Sequence, residues 1–212
     1  MSFCKPIGPL SSKYTQIIED MISRYSNTYN NYSIVDKFFG KMGGSKITSN
    51  MWTNSDFNIL KDIYDDICSI VSTKLNLQLY PTSDSYFGKI YAIKYDDPSQ
   101  HFVWHFDDNS SNEYRVIYTI KQVGDPFSFA FIDSSYNTQY IKQEVGKCLC
   151  IRGATTKHSL INPSCETSAT RWCVIFTYTT HKNDSRKCIG YIDLFHNVYN
   201  HFISFIKKGL NR

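Results

Sequence analysis

Hydrophobic and polar positions follow one period in the first part of the chain and another in the rest. In the first part, apolar residues recur at helical spacing, which predicts one helix over about 13–25 and a longer one over about 55–75. Residues 40–50 are glycine-rich and are predicted to form a loop. The candidate N-caps are Ser11 or Ser12 for the first helix and Asn54 or Ser55 for the second.

From Tyr80 onward, short β-type runs alternate with turn residues, and a last amphipathic pattern predicts a closing helix over about 192–208. Short strands that follow a helical part indicate an α+β fold, in which a small barrel or sandwich is covered by helices. We therefore expect helical support over 1–79, a β core over 80–180 and a C-terminal helix within 181–212. The predicted strands are 86–96, 101–107, 114–122, 127–132, 138–143, 147–152, 157–161 and 171–180.

Length and composition indicate an ordinary globular protein. The 212 residues suit a single domain, and a formal net charge of +4 does not indicate a nucleic-acid surface. None of the seven cysteines forms a C-x-x-C pair, and Cys148 and Cys150 would share one face of a strand as buried thiols. With neither a signal peptide nor a membrane span in the sequence, we expect a cytoplasmic protein with reduced cysteines. No oligomeric state is predicted.

Candidate chemistry is concentrated in the predicted strand that contains His105 and Asp107. Side chains two positions apart leave the same face of a strand, so this imidazole and this carboxylate can offer two ligands to one metal ion. An antiparallel barrel can bring His158, 53 positions beyond His105, to the same mouth. The candidates for a third ligand are His158, His181 and His196, with His201 on the same terminal segment as His196.

Two imidazoles and one carboxylate leave adjacent positions open on an iron ion. That arrangement suits a chelating 2-oxo acid together with dioxygen. A 2-oxo diacid also needs a cation for its far carboxylate. Arg171 begins an apolar β-run and could offer its planar fork from a neighbouring strand.

These motifs, in this order, resemble the 2-oxoglutarate- and Fe(II)-dependent oxygenases, in particular the prolyl-4-hydroxylase-like branch. The resemblance covers about residues 86–180. It lies in the His-x-Asp pair, the distal histidine and the arginine that opens a β-run. The supporting stretches are Ile90–Pro98, Trp104–Asp107, Ile117–Ile120, Ile151–Gly153 and Ala169–Trp172.

The resemblance implies a double-stranded β-helix, of the jelly-roll or cupin type, with iron held by His105, Asp107 and His158. It makes Arg171 the partner of the far carboxylate of 2-oxoglutarate. It also implies a cosubstrate contact for two tyrosines and places a cysteine where a small hydroxyl residue is frequent. The two tyrosines are Tyr95 and Tyr118, and the cysteine is Cys173.

Strand alternation then makes a prediction about two cations near the second tyrosine. Arg115 and Lys121 have the parity opposite to Tyr118, so they should point outward if Tyr118 points inward.

The expected activity is that of a dioxygenase that hydroxylates a C–H bond of a small molecule or of a peptidyl residue. Its expected cofactors are Fe(II), 2-oxoglutarate as cosubstrate and O₂, with ascorbate as an optional addition. The alternative is a non-catalytic cupin-like module that binds a metal ion or a small acid. Tight iron binding without decarboxylation of 2-oxoglutarate would favour that alternative.

Overall fold

The fold consists of two antiparallel sheets, with two helices packed against the larger one. It is seen in a computed structural model that describes residues 2–25, 45–47, 51–82, 90–95, 102–107, 111–125, 127–161 and 170–182. In these ranges the helices are α1 (Ser12–Arg24) and α2 (Asn54–Leu75). The strands are β1 (Cys4–Pro9), β2 (Ser45–Ile47), β3 (Tyr80–Pro81), β4 (Ile90–Tyr95), β5 (Phe102–His105), β6 (Glu113–Val123), β7 (Ser128–Ile132), β8 (Thr138–Lys142), β9 (Lys147–Ile151), β10 (His158–Ile161) and β11 (Thr170–Thr179).

The larger sheet has the strand order β1-β9-β6-β11-β4-β2, and β3 pairs with one end of β11. The smaller sheet has the order β5-β10-β7-β8. Each pairing in the two sheets is antiparallel. Two facing antiparallel sheets with this topology form a double-stranded β-helix, which confirms the expected fold.

Side chains alternate between two apolar layers. One face of the larger sheet packs on the helices, and Phe176 and Tyr178 of β11 lie in that layer. The other face packs against the smaller sheet and forms the barrel interior, to which β11 contributes Cys173 and Ile175. Arg171 has the parity of the interior residues of β11, so the alternation of this strand directs its side chain into the barrel.

The two helices predicted in the first part of the chain and all eight predicted strands are present, and their ends lie within four residues of the expected ones. The sequence analysis missed the pairing of β1 with β9, and it was wrong to treat 45–47 as loop, because these residues form β2 beside β4. The cap of α2 was also misplaced by one residue. Thr53 is the N-cap, and its side chain accepts a hydrogen bond from the Asp56 backbone N–H at 3.2 Å.

Two further expectations have different outcomes. Cys148 and Cys150 are buried free thiols on one face of β9, as expected. The expected helix over 192–208 lies outside the described residues. Among the helices that the structure does describe, none is long and apolar enough to cross a membrane.

Candidate metal and cosubstrate site

Neighbouring strands of the smaller sheet bring the two histidines together. His158 at the start of β10 is paired in register with His105 at the end of β5. Their ring centroids are 4.3 Å apart, and His158 also stacks on Phe129 at 5.4 Å. Each imidazole is therefore carried by regular backbone rather than by a mobile loop tip, which favours a preorganised site.

Backbone hydrogen bonds define which ring nitrogen of each histidine is available. His105 Nδ1 lies 2.7 Å from the Val103 carbonyl oxygen, and His158 Nδ1 lies 2.8 Å from the Thr156 carbonyl oxygen. A carbonyl oxygen can only accept, so Nδ1 is the donor in both rings. In the neutral rings Nε2 is therefore the nitrogen that carries the lone pair, as a metal ligand requires.

The Asp107 carboxylate completes a three-ligand cluster. Its Oδ1 atom lies 3.6 Å from His105 Nε2 and 3.7 Å from His158 Nε2. Ligand atoms of all three residues lie within 4.8 Å of one another. Atoms bound about 2.1 Å from one ion are themselves roughly 3–4 Å apart, so this spacing suits a shared metal ion.

Gly153 and Arg115 hold Asp107 in this position. The Asp107 backbone N–H donates to the Gly153 carbonyl at 3.0 Å. A Cβ atom on Gly153 would lie 1.6 Å from Asp107 Oδ2, so only glycine leaves room for the carboxylate. Arg115 Nη1 donates to Asp107 Oδ1 at 2.6 Å, and the side chains are 13% and 8% exposed. This buried ion pair lies against the proposed ligand atom.

Charge around the cluster keeps the ligands in the forms that bind metal. Burial by itself raises the pKa of the Asp107 carboxyl, but the Arg115 guanidinium and the two imidazoles outweigh it and hold that pKa well below its usual range. Burial lowers the pKa of His158 to about 4, although Asp107 acts in the opposite direction. At neutral pH the carboxylate is therefore ionised, and His158 is neutral.

Arg171 is a buried cation in the same interior, with only neutral partners. Its Nη1 donates to Cys173 Sγ at 3.3 Å, and its Nη2 donates to Gln143 Oε1 at 3.0 Å and to Thr119 Oγ1 at 3.5 Å. The guanidinium lies 5.5 Å from the ring of Tyr95. Its Nε is buried without a hydrogen-bond partner, and no carboxylate of the described residues pairs with it. Burying an uncompensated charge is costly, so the arrangement favours an anionic ligand.

Aromatic rings link the surroundings of Arg171 to the metal ligands. Tyr95, which lies under the guanidinium, contacts Phe127 with ring centroids 5.7 Å apart. Phe129, two residues further along the chain, stacks on His158. All three aromatic residues belong to the apolar cluster between the sheets. The cation and the ligand cluster thus share one interior.

Tyr118 faces away from the interior that contains Arg171 and the candidate ligands. Its side chain lies in the helix-facing layer, where its hydroxyl is 2.6 Å from Thr15 Oγ1 of α1. Because Tyr118 faces the helices, Arg115 faces the barrel interior. The two residues do point to opposite faces of β6, as predicted, but each points to the face that was expected for the other. Lys121 points to the helices instead, and its Nζ forms an ion pair with Glu19 of α1 at 2.9 Å. The reason is a bulge in β6 opposite Trp172, which shifts the alternation of the side chains beyond it.

Sequence reasoning missed three residues of this interior. They are Thr119, Gln143 and Gly153, and Arg115 was expected to point outward. The alternation of β6 places Thr119 and Arg115 on the face opposite Tyr118, and this is visible in the sequence. Which of the two faces is the interior is shown only by the packing of α1. Nothing in the sequence marks Gln143, because it follows β8 and reaches Arg171 from 28 positions away.

The other candidate ligands do not join the cluster. His181 follows β11 and is exposed, and it is absent from the three-residue group. His196 and His201 lie outside the described residues.

The donor set fits an iron ion and a 2-oxo diacid. Two neutral imidazole nitrogens and one carboxylate form the two-histidine, one-carboxylate group typical of non-haem Fe(II) sites. The unpartnered Nε of buried Arg171 fits the far carboxylate of a diacid.

Neither a protein-family model nor a curated protein matches the sequence, so the likeness to known proteins lies in the fold. A prolyl-4-hydroxylase from Pseudomonas putida superposes with a TM-score of 0.60 at 8% identity, over 86% of this chain and 93% of that one. HygX from Streptomyces hygroscopicus, with nickel and 2-oxoglutarate bound, gives 0.57 at 10% identity over 84% and 82%. A Trichoplax adhaerens prolyl hydroxylase in complex with a peptide of hypoxia inducible factor gives 0.59 at 13% identity over 84% and 83%. The chain therefore has the fold of the 2-oxoglutarate- and Fe(II)-dependent oxygenases.

Proposed function

We propose that this protein is a non-haem Fe(II)- and 2-oxoglutarate-dependent dioxygenase. His105, Asp107 and His158 would hold the iron. Arg171 would bind the far carboxylate of 2-oxoglutarate, and Tyr95 would line the cosubstrate pocket. Bound iron with a chelating 2-oxo acid supplies the chemistry that couples dioxygen to the oxidation of a C–H bond and to decarboxylation of the 2-oxo acid.

One observation carries the proposal. The same barrel interior contains a cluster of two imidazoles and a carboxylate, whose candidate ligand atoms lie within 4.8 Å of one another, and a buried arginine that has no carboxylate partner among the described residues. A module that bound only a metal ion would need the first feature but not the second.

The chain's own residues prepare the site in three ways. Backbone carbonyls orient the two imidazoles, and Arg115 keeps Asp107 ionised. Phe127, Phe129 and the other apolar residues between the sheets exclude water from the space beside His158. Exclusion of water strengthens the electrostatic interactions with a bound diacid.

We base the proposed substrate class on the proteins of similar structure. One neighbour is complexed with a peptide, so a peptidyl residue is a candidate substrate alongside a small molecule. Hydroxylation is the reaction we propose, because a carboxylate ligand occupies the coordination position that a halogenating enzyme leaves for halide. O₂ is the required co-reactant, and ascorbate would serve as an optional reductant. We propose that the protein works in the cytoplasm.

Anaerobic titration with Fe(II) and 2-oxoglutarate tests this function. We expect a weak visible charge-transfer band from the iron chelate in the wild-type protein. Asp107→Ala should lose the band because it removes an iron ligand. Arg171→Met should keep iron binding but shift the titration to higher 2-oxoglutarate concentrations. Arg152→Met is the matched control, since Arg152 is an arginine that contacts the Ser111 carbonyl at 2.9 Å instead of lying in the interior.

Release of carbon dioxide from labelled 2-oxoglutarate in air separates the two candidate functions. Turnover that requires iron supports an oxygenase. A wild-type protein that binds iron tightly without any decarboxylation would instead be a cupin-like binding module. A wild-type protein that forms no chelate band would contradict the proposal.

A further inference from the structure

Gln143, the residue just past the end of β8, is held in place by three hydrogen bonds. Its backbone N–H donates to the Phe127 carbonyl at 2.8 Å. Its side-chain Nε2 donates to the Ile141 carbonyl at 3.3 Å, and its Oε1 accepts from Arg171 Nη2 at 3.0 Å. The residue is only 4% exposed. This buried amide is therefore directed at a buried cation that has no carboxylate partner among the described residues.

The contact with Arg171 defines the orientation of the amide. A guanidinium has only donors, so the atom of Gln143 that faces it must be the oxygen. The amide nitrogen carries two hydrogens, and one of them serves the Ile141 carbonyl. The other hydrogen has no acceptor among the described residues. Gln143 can thus bind Arg171 and donate to an anion at the same time.

We infer that Gln143 is a cosubstrate-binding residue, whose amide shares the far carboxylate of the 2-oxo acid with Arg171. The inference rests on the proposed function. A carboxylate offers about four lone-pair sites, more than a single arginine edge can fill. The free Nε–H of Arg171, the second amide hydrogen of Gln143 and the hydroxyl of Thr119 supply three donors around one position. Gln143 and Thr119 thereby take the place expected for Tyr118.

Isosteric variants test this inference better than truncation does. Gln143 also lines a cavity of about 50 Å³, which is large enough for water, so an alanine variant would let water replace the amide. Gln143→Leu removes the donors without opening much space. Gln143→Glu keeps the shape and can still pair with Arg171, but it places a negative charge where the carboxylate would bind.

The measurement is the dissociation constant of 2-oxoglutarate, from anaerobic titration of the iron-loaded protein followed by its visible band. We expect Gln143→Leu to raise that constant roughly fivefold, as the loss of one hydrogen bond predicts. Gln143→Glu should raise it at least about 20-fold, because like charges in contact repel strongly. The iron affinity and the melting temperature without cosubstrate should stay near the wild-type values in Gln143→Glu.

Two controls isolate the contact with the carboxylate. Gln16→Glu makes the same chemical change at an exposed position on α1 and should leave the constant unchanged. Pyruvate, a 2-oxo acid without a far carboxylate, should bind Gln143→Glu and the wild type equally. Wild-type affinity for 2-oxoglutarate in Gln143→Glu would overturn the inference, as would an equal loss of pyruvate binding. If the wild type itself forms no chelate, the proposed function fails instead.

Discussion

At the scale of single residues, the Asp107 carboxylate has the most closely defined surroundings in the site. Arg115 neutralises it, the two imidazoles face one of its oxygens, and Gly153 lies against the other. These contacts come from four different segments of the chain. The position of the carboxylate is thus a product of packing, and it should respond to changes in residues that bind no metal.

Arg115→Met should destabilise the metal-free protein, because it leaves a buried carboxylate without its cation. Breaking such a pair typically costs about 3 kcal/mol, and urea denaturation of the metal-free protein measures it. Arg152→Met provides the control at an arginine outside the pair. Adding Asp107→Asn to Arg115→Met should recover much of the loss, since no unpaired charge then remains. If Arg115→Met lowers the free energy of unfolding by less than about 1 kcal/mol, which is the range for solvent-exposed ion pairs, then water screens this pair.

Gly153→Ala should abolish iron binding while the fold is retained. The added methyl group would lie 1.6 Å from Asp107 Oδ2, so the carboxylate must leave its place. Gly146→Ala is an informative contrast, because its methyl group meets nothing nearer than 3.9 Å but its backbone has φ +81°. That variant should lose stability and keep its iron affinity. Iron titration and thermal unfolding of the two variants measure iron affinity and stability. Unchanged iron binding in Gly153→Ala would contradict the close contact between Gly153 and the Asp107 carboxylate.

At the scale of elements, the alternation of strand β6 determines which of its side chains lie beside Arg171 in the barrel interior. Its alternation places Tyr118 against α1 and Thr119 beside Arg171. The amphipathic helix α1 covers only one face of the larger sheet, and that packing distinguishes the helix-facing layer from the barrel interior. Two consecutive residues of β6 therefore face opposite layers, Tyr118 the helices and Thr119 the interior beside Arg171.

Tyr118→Phe should leave the affinity for 2-oxoglutarate within about twofold of the wild type, because its hydroxyl bonds Thr15 and the loss of that bond affects mainly stability. Thr119→Val should weaken the affinity several-fold, since it removes a hydroxyl next to Arg171. The anaerobic titration measures both. A large loss in Tyr118→Phe with none in Thr119→Val would restore the assignment made from the sequence.

At the scale of the whole molecule, the site lies in the interior between the two sheets and takes residues from both. The candidate ligands lie on or just beyond strands of the smaller sheet, whereas Arg171 and Arg115 lie on strands of the larger one. A ligand that touches both sheets should therefore stabilise the entire fold, because it binds the native state and not the unfolded chain.

Mn(II) with 2-oxoglutarate should raise the free energy of unfolding under conditions without turnover. At 100 times the dissociation constant, the expected gain is about 2.7 kcal/mol. Asp107→Ala should lose this gain. Asp65→Ala, which removes a half-exposed carboxylate paired with Lys61 on α2, should retain it. Equal stabilisation of Asp107→Ala and the wild type in calorimetry would indicate that the ions bind elsewhere.

Periodicity and spacing alone determined a large part of this protein. Helical and alternating patterns predicted α1, α2 and the eight strands β4 to β11. They could do so because a helix or strand that buries one face repeats its apolar residues at a period that is visible in the sequence. The same reasoning predicted that His105 and Asp107 point together.

Only the tertiary structure decided which face of each strand is the interior. Alternation defines two faces without distinguishing them, so Tyr118 and Arg115 exchanged the places expected for them. Contacts between distant segments were equally invisible, because Gln143, Gly153 and Arg171 meet their partners through sheet pairing and packing rather than through any local pattern. The order of residues thus determined the elements and the candidate metal ligands, whereas the packing of two sheets and a helix decided which groups surround them.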